Sequence, residues 1–153
     1  MKGTKWDKMG VIIMFIGEYN FNLDDNHRLN IPNTFKKYLE ETLVIAKGFE
    51  KCLYLYNMSD WRIISEKINN LSFTKANNRK FSRGLNSGAY ELEVDSKGRI
   101  CISQKLVDYA QLVKECIIIG VSNRIEIWSK EEWDKYSMEN PDVLAELGEE
   151  MDI

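Results

Sequence analysis

The sequence predicts a strand-dominated α+β fold, internally duplicated, with pseudo-two-fold symmetry and flanking helices. Three observations predict it. First, Asn22-Leu23-Asp24-Asp25-Asn26-His27-Arg28-Leu29-Asn30-Ile31-Pro32 aligns with Glu93-Val94-Asp95-Ser96-Lys97-Gly98-Arg99-Ile100-Cys101-Ile102-Ser103 at a constant offset of 71, and Tyr38 matches Tyr109 at the same offset. After one extra residue, Gly48 matches Gly120, Leu53–Tyr56 matches Ile125–Trp128, and Trp61 matches Trp133. Second, each copy opens on an alternating apolar and polar segment, the pattern of a half-buried strand. Third, the helical signals between the apolar runs are short and begin at proline or serine.

The elements follow in order. Phe15–Phe21 is read as a strand, Asp24–His27 as a tight turn, and the next few residues as a short strand. Pro32, Asn33 and Thr34 open a helix through about Glu40, with Phe35, Tyr38 and Leu39 as its apolar face. Leu43–Ala46 and Leu53–Tyr56 are two strands joined by a glycine turn at Gly48, and a helix over Ser59–Asn69 closes the unit with serine as N-cap. Thr74–Leu85 is a linking helix. The second copy repeats the plan with a strand at Ala89–Val94, a turn at Asp95–Gly98, a helix over Gln104–Ala110 and strands at Cys116–Ile119 and Ile125–Trp128. A serine-capped helix over Ser129–Ser137 ends it. From Asn140-Pro141 the tail resumes as an acidic amphipathic helix with Val143, Leu144 and Leu147 on one side. The expected organisation is a poorly ordered extension (1–13), a first repeat (14–73), the linking helix (74–87), a second repeat (88–138) and the acidic tail (139–153). One such unit buries too little surface to stand alone, so the two should share strands in one core and leave edges that invite assembly.

Composition narrows the function classes. The 153 residues carry a net charge of -3, but residues 131–153 hold nine acidic side chains and one basic. The rest then holds 24 − 9 = 15 acidic against 21 − 1 = 20 basic residues, a net of +5. A basic body with an acidic tail is compatible with a nucleic-acid partner. Cys52, Cys101 and Cys116 show no CxxC spacing and stand in apolar stretches, so all three are expected to be buried thiols. With His27 the only histidine, no metal site is expected. No stretch reaches the ~20 apolar residues of a membrane span, and no cleavable signal is evident, so a cytoplasmic location is expected.

Asp-x-x-x-Arg occurs twice, at Asp24/Arg28 and Asp95/Arg99. The spacing suits a hairpin turn. Asp accepts backbone N–H groups and fixes the turn; Asn26, or the pair Lys97-Gly98, fills the positions that need a permissive backbone. Arg then emerges just past a rigid tip. Two readings compete. Each arginine either reaches guanine edges or phosphates, with Lys97, Asn26 and His27 assisting, or pairs with its own aspartate and staples the turn. Two symmetric arginine-bearing tips favour the first, because they suit two contacts on one duplex.

At these residues the chain resembles the MraZ family, bacterial regulators of the division and cell-wall gene cluster with a fold related to that of AbrB-type transition-state regulators. The likeness rests on Met14-Phe15-Ile16-Gly17-Glu18-Tyr19, the two Asp-x-x-x-Arg turns, Gly48-Phe49 and Ile119-Gly120-Val121-Ser122-Asn123-Arg124-Ile125-Glu126-Ile127-Trp128. It runs from Met14 to about Tyr136. It implies an AbrB-like, swapped-hairpin-type barrel and a transcription factor that binds short direct repeats in its own promoter as a ring-like homo-oligomer. The family's arginines implicated in DNA contact fall on Arg28 and Arg99. This chain departs from the family where Asn26-His27 replaces the usual lysine-glycine, so the second tip is expected to be the stronger phosphate binder. Residues 1–13 precede the family's usual start.

The expected DNA-binding set is therefore Arg28, Arg99, Lys97, Asn26, His27 and Gly98, with Asp24 and Asp95 structuring the turns. No catalytic set, cofactor, membrane or small-molecule partner is expected, since no Ser–His–Asp or Cys–His arrangement repeats with the units and no phosphate-binding glycine loop is present. The expected partners are double-stranded promoter DNA and further copies of the chain, in association with the nucleoid. The rival reading is an oligomeric scaffold whose arginine loops bind acidic protein partners; a nuclease or other hydrolase is the third. Tyr54, Tyr56, Trp61, Trp128 and Trp133 are read as core rather than as a base-stacking surface. Lys75, Arg79, Lys80 and Arg83 are read as a solvated helix face or subunit-interface charges. Lys36, Lys37, Lys47 and Arg124 are weaker candidates for phosphate contact.

Overall fold

The computed structural model describes residues 14–152. The extension at 1–13 expected to be poorly ordered lies outside them. The first repeat runs β1 (Phe15–Asn22), β2 (Arg28–Asn30), α1 (Asn33–Lys36), β3 (Leu43–Lys47), β4 (Leu53–Asn57) and α2 (Met58–Asn69), followed by α3 (Ala76–Ser87). The second runs β5 (Tyr90–Leu92), β6 (Arg99–Cys101), α4 (Gln104–Tyr109), β7 (Glu115–Ser122), β8 (Arg124–Ser129) and α5 (Lys130–Glu139), followed by α6 (Val143–Glu150).

Six strands form one antiparallel sheet in the order β1-β7-β8-β4-β3-β5, and β2 and β6 form a separate two-stranded ribbon. The pairing is crosswise. The first strand of each repeat bonds to the third strand of the other, β1 to β7 and β5 to β3. Equivalent residues face each other in the ribbon, where Leu29 opposes Ile100, and in the sheet, where Tyr54 opposes Glu126. The pseudo-two-fold axis passes through both pairs. Hydrogen bonding does not close the ladder into a barrel, because β1 and β5 are its end strands.

Strand alternation sorts the core into two layers. Leu43, Ile45, Leu53, Leu55, Cys116, Ile118, Ile125 and Ile127 face the ribbon, where Leu29 and Ile100 are fully buried, together with Phe35 of α1 and Leu106 of α4. Each such aliphatic or aromatic side chain contributes ~1.5–3 kcal/mol by leaving water. On the other face Tyr54, Tyr56, Ile117 and Trp128 pack under Trp61 of α2 and Trp133 and Tyr136 of α5. The aromatic residues are therefore core, as their apolar neighbours suggested. Tryptophans 128 and 133 meet edge to face at 5.2 Å.

Four local expectations are corrected. The helix expected to reach Glu40 stops at Lys36, because the chain must bend there to bring the Glu40 N–H to Asn57 Oδ1 (2.8 Å). Ser59 is not the N-cap of α2: Asn57 holds that position, and the Ser59 N–H donates to Glu40 Oε1 (3.0 Å). In the second repeat Ser129 does cap its helix, accepting the Glu132 N–H at 3.0 Å. Gly120 is not in a turn but inside β7 opposite Gly17, where a Cβ would collide with Ile16 N and the Phe15 carbonyl carbon. The turn itself is Ser122–Arg124, with Ser122 at φ 62. Finally, Cys52 and Cys116 are buried but Cys101 is exposed, since β6 alternation turns Ile100 inward and Cys101 outward.

Candidate nucleic-acid interface

The two Asp-x-x-x-Arg motifs build two turns of the same shape. In the first, Asp24 Oδ1 accepts the N–H groups of Asn26 (2.9 Å) and Arg28 (2.8 Å). In the second, Asp95 Oδ1 accepts those of Lys97 and Arg99, both at 2.9 Å. The His27 N–H donates to Asp24 O and the Gly98 N–H to Asp95 O, closing each turn at 3.0 and 2.9 Å. The carboxylates therefore do local structural work. The backbone N–H of Arg28 foremost, against some desolvation, holds the Asp24 carboxyl below its ordinary value. The backbone N–H of Arg99, with that residue's side chain, does the same for Asp95.

The permissive backbone position is one residue later than expected in the first tip. His27 adopts φ 60 and its repeat partner Gly98 φ 78, whereas Asn26 has no positive φ. Non-glycine residues occupy this region at a cost, although histidine is among those that enter it more readily.

The ribbon fixes where the arginines point. Leu29 and Ile100 turn inward, so Arg28, Asn30, Arg99 and Cys101 share the outer face, with Arg28 opposite Cys101 and Asn30 opposite Arg99. Bonds from Ile31 N to Gly98 O (3.1 Å) and from Ile102 N to His27 O (2.8 Å) extend the ribbon to both tips. Asn30 and Cys101 were not among the expected site residues. The strand period in Arg28-Leu29-Asn30 would have found them, had the ribbon pairing been known.

The two arginines differ. The Arg99 Nε donates to Asp95 Oδ2 at 3.0 Å, and its Nη1 lies 3.9 Å from Asp24 Oδ2 of the other turn. Among the described residues no carboxylate lies within 4 Å of the Arg28 guanidinium. The stapling reading thus holds for Arg99 alone. Both side chains are half-exposed at the surface. The Arg99 pair lies at the surface, part-exposed, so it contributes at most ~1 kcal/mol.

A further cation comes from the other repeat. Lys36 Nζ, bonded to Asn33 Oδ1 at 3.0 Å, lies over Gly98 so closely that any Cβ there would collide with it. Its repeat partner is the buried Val107, so only the second tip gathers Lys36 with Lys97 and Arg99. The Lys37 ammonium instead lies over the Tyr38 ring at 5.0 Å and that of Lys47 over Tyr109 at 5.2 Å. Arg124 bonds Glu126 at 2.7 Å and covers the Tyr54 ring, a structural role. A cleft of about 670 Å³ beside the second tip mixes Lys36 and Lys97 with Glu40, Glu41, Glu93 and Asp95, a balance that gives an anionic small molecule no net attraction. Among the described residues no group of three or more His, Cys, Asp or Glu could hold a metal ion, and no helix is long and apolar enough to cross a membrane.

A family model described as "MraZ protein, putative antitoxin-like" matches the chain twice, over residues 14–84 and 85–151. The chain belongs to the MraZ family. The double match falls on the two repeats, so the crosswise sheet joins two MraZ units within one chain. The MraZ family is one of antitoxin-like regulators and not of enzymes.

Proposed function

We propose that this chain is a sequence-specific DNA-binding transcriptional regulator that acts on short direct repeats in the promoter of its own division and cell-wall gene cluster. It does so in the cytoplasm, on the nucleoid, as a ring-like homo-oligomer. The observation that carries this reading is the outer face of the β2–β6 ribbon, which holds Arg28, Asn30 and Arg99 together between two aspartate-fixed turns. Two strands of three residues span ~10 Å by ~5 Å, and a major groove ~12 Å wide admits such a ribbon. Arginine matches guanine O6 and N7 with two donors, and asparagine matches adenine N6 and N7. Lys97 and Lys36 at the second tip stand where phosphates flank the groove, and Asn26 and His27 offer the first tip polar contacts with less charge. One ribbon reads few bases, so affinity comes from several copies engaging successive repeats at once.

A salt titration of binding to promoter duplex, followed by fluorescence anisotropy, tests the reading. The expected result is a steep loss of affinity, with a log–log slope of about -0.9 per phosphate neutralised, and tighter binding to the direct repeats than to scrambled duplex. A scaffold that binds acidic proteins shows neither, and that outcome overturns the proposal.

A further inference from the structure

The two ends of the ribbon's outer face are not copies of each other. The pseudo-two-fold that exchanges Arg28 with Arg99 also exchanges Asn30 with Cys101, at the same offset of 71. One end therefore sets Arg99 across from Asn30, and the other sets Arg28 across from Cys101. Asn30 and Cys101 are both exposed, and the two arginines are part-exposed. Their hydrogen-bonding states differ. Among the described residues the Asn30 side-chain amide makes no hydrogen bond. The Cys101 thiol donates to the Asn26 carbonyl of the first turn at 3.6 Å.

The tips differ as well. Lys97 stands where the first tip has Asn26, and Lys36 lies over Gly98. Glu40, Glu41 and Glu93 line the cleft beside that second tip, however, and offset its added cations. What separates the two ends is therefore the chemistry of the face itself. A free amide carries a donor and an acceptor side by side, the pair that matches the N6 and N7 edge of adenine. A thiol already bonded to its own turn offers a base only a small apolar surface. Asparagine at both places, or cysteine at both, would present the same groups whichever way round the ribbon lay in a groove. One of each does not.

We infer that Asn30 gives the ribbon a direction on DNA: it reads an adenine beside the guanine read by Arg99, and no equivalent adenine is read beside the guanine of Arg28. Cross-strand partners stand ~5 Å apart and base pairs stack every ~3.4 Å, so Asn30 falls on the base pair next to that of Arg99. Arg28 and Asn30, two positions apart on one strand, are separated by about 6.7 Å, two base-pair steps. Each repeat is then read in one sense only, although the backbone that reads it is two-fold. The inference rests on the groove contact proposed above and adds to it a base and a polarity.

The test is a loss-of-contact scan with the full-length chain. Every base pair of one repeat in the promoter duplex is replaced in turn, and affinity is read by fluorescence anisotropy at fixed salt. Arg28→Ala and Arg99→Ala, scanned alongside the wild type, mark the two guanines. Replacing the adenine beside the Arg99 guanine should weaken wild-type binding about 5- to 150-fold, the span of one bidentate base contact. Asn30→Ala should abolish that penalty and leave the penalties at all other base pairs unchanged. Cys101→Asn should create a second adenine preference, beside the Arg28 guanine. Both positions are exposed while Leu29 and Ile100 hold the core, so both variants should melt as the wild type does. If the Asn30→Ala penalties stay as in the wild type, fall evenly across the repeat, or vanish beside the Arg28 guanine instead, the assignment is overturned and DNA binding stands. A Cys101→Asn chain with no new preference overturns the direction. A wild-type chain that binds scrambled duplex as tightly as promoter overturns this inference and the function it rests on.

Discussion

His27 holds a backbone conformation that its twin position gives to glycine, with φ 60 against 78 at Gly98. Relief of that strain outweighs the added chain entropy of glycine, so His27→Gly should raise stability by roughly 0.5–1 kcal/mol, read as a higher urea midpoint at unchanged slope. The thiols divide as sharply. Burial pushes Cys52 up to about 12 and Cys116 up to about 11, while Cys101 stands exposed on the ribbon. Only the thiolate reacts, so a thiol reagent should label one cysteine of the folded chain and all three only after denaturation. The two aspartates give a pH dependence of definite sign. Their folded pKa values lie below the ordinary 3.8, so the stability they add is whole above that value and is lost as pH falls through the lowered folded values. The amide resonances of Lys97 and Arg99, in the turn that holds no histidine, should therefore hold still from pH 7 to 5 and move only in stronger acid.

The ribbon makes its two arginines unequal partners in the proposed contact. Arg28→Ala removes a guanidinium with no carboxylate beside it among the described residues, and should weaken specific DNA binding by ~1–3 kcal/mol without changing the melting temperature. Arg99→Ala should weaken binding similarly and also loosen the second turn, because its Nε bonds Asp95. Both turns were legible from sequence, since an Asp-x-x-x-Arg turn is made by residues within reach of one another and the 71-residue offset printed it twice. What the sequence could not show was set by distant chain. The stop of α1 at Lys36 depends on Asn57, twenty-one positions further on, and the place of Lys36 over Gly98 depends on two repeats meeting. Gly120 read as a turn residue because its real constraint, the approach of β1, is a crosswise pairing that no local pattern contains. The inward and outward sorting of Leu29 and Asn30 was implicit in the strand period, but the outer face became a site only once β6 lay beside β2.

Across the molecule the duplication does two jobs. Sharing strands lets two units too small to stand alone enclose one core between ribbon and sheet, and the same symmetry sets the two ribbon strands side by side. The basic body and acidic tail of the sequence are resolved into separate helices, α3 and α6, leaving the ribbon's own cations to face outward. The central claim is that this outward face is what meets DNA, and Cys101 is a reporter already built into it, with the other two thiols buried. The most direct measurement is the rate at which Cys101 of the wild-type chain is alkylated with and without promoter duplex. If the ribbon lies in the groove, duplex at a hundred times Kd should slow the reaction about a hundredfold, since only the free fraction reacts, and scrambled duplex at the same concentration should slow it far less. An alkylation rate unchanged by saturating promoter DNA would place the duplex elsewhere on the molecule and contradict the account.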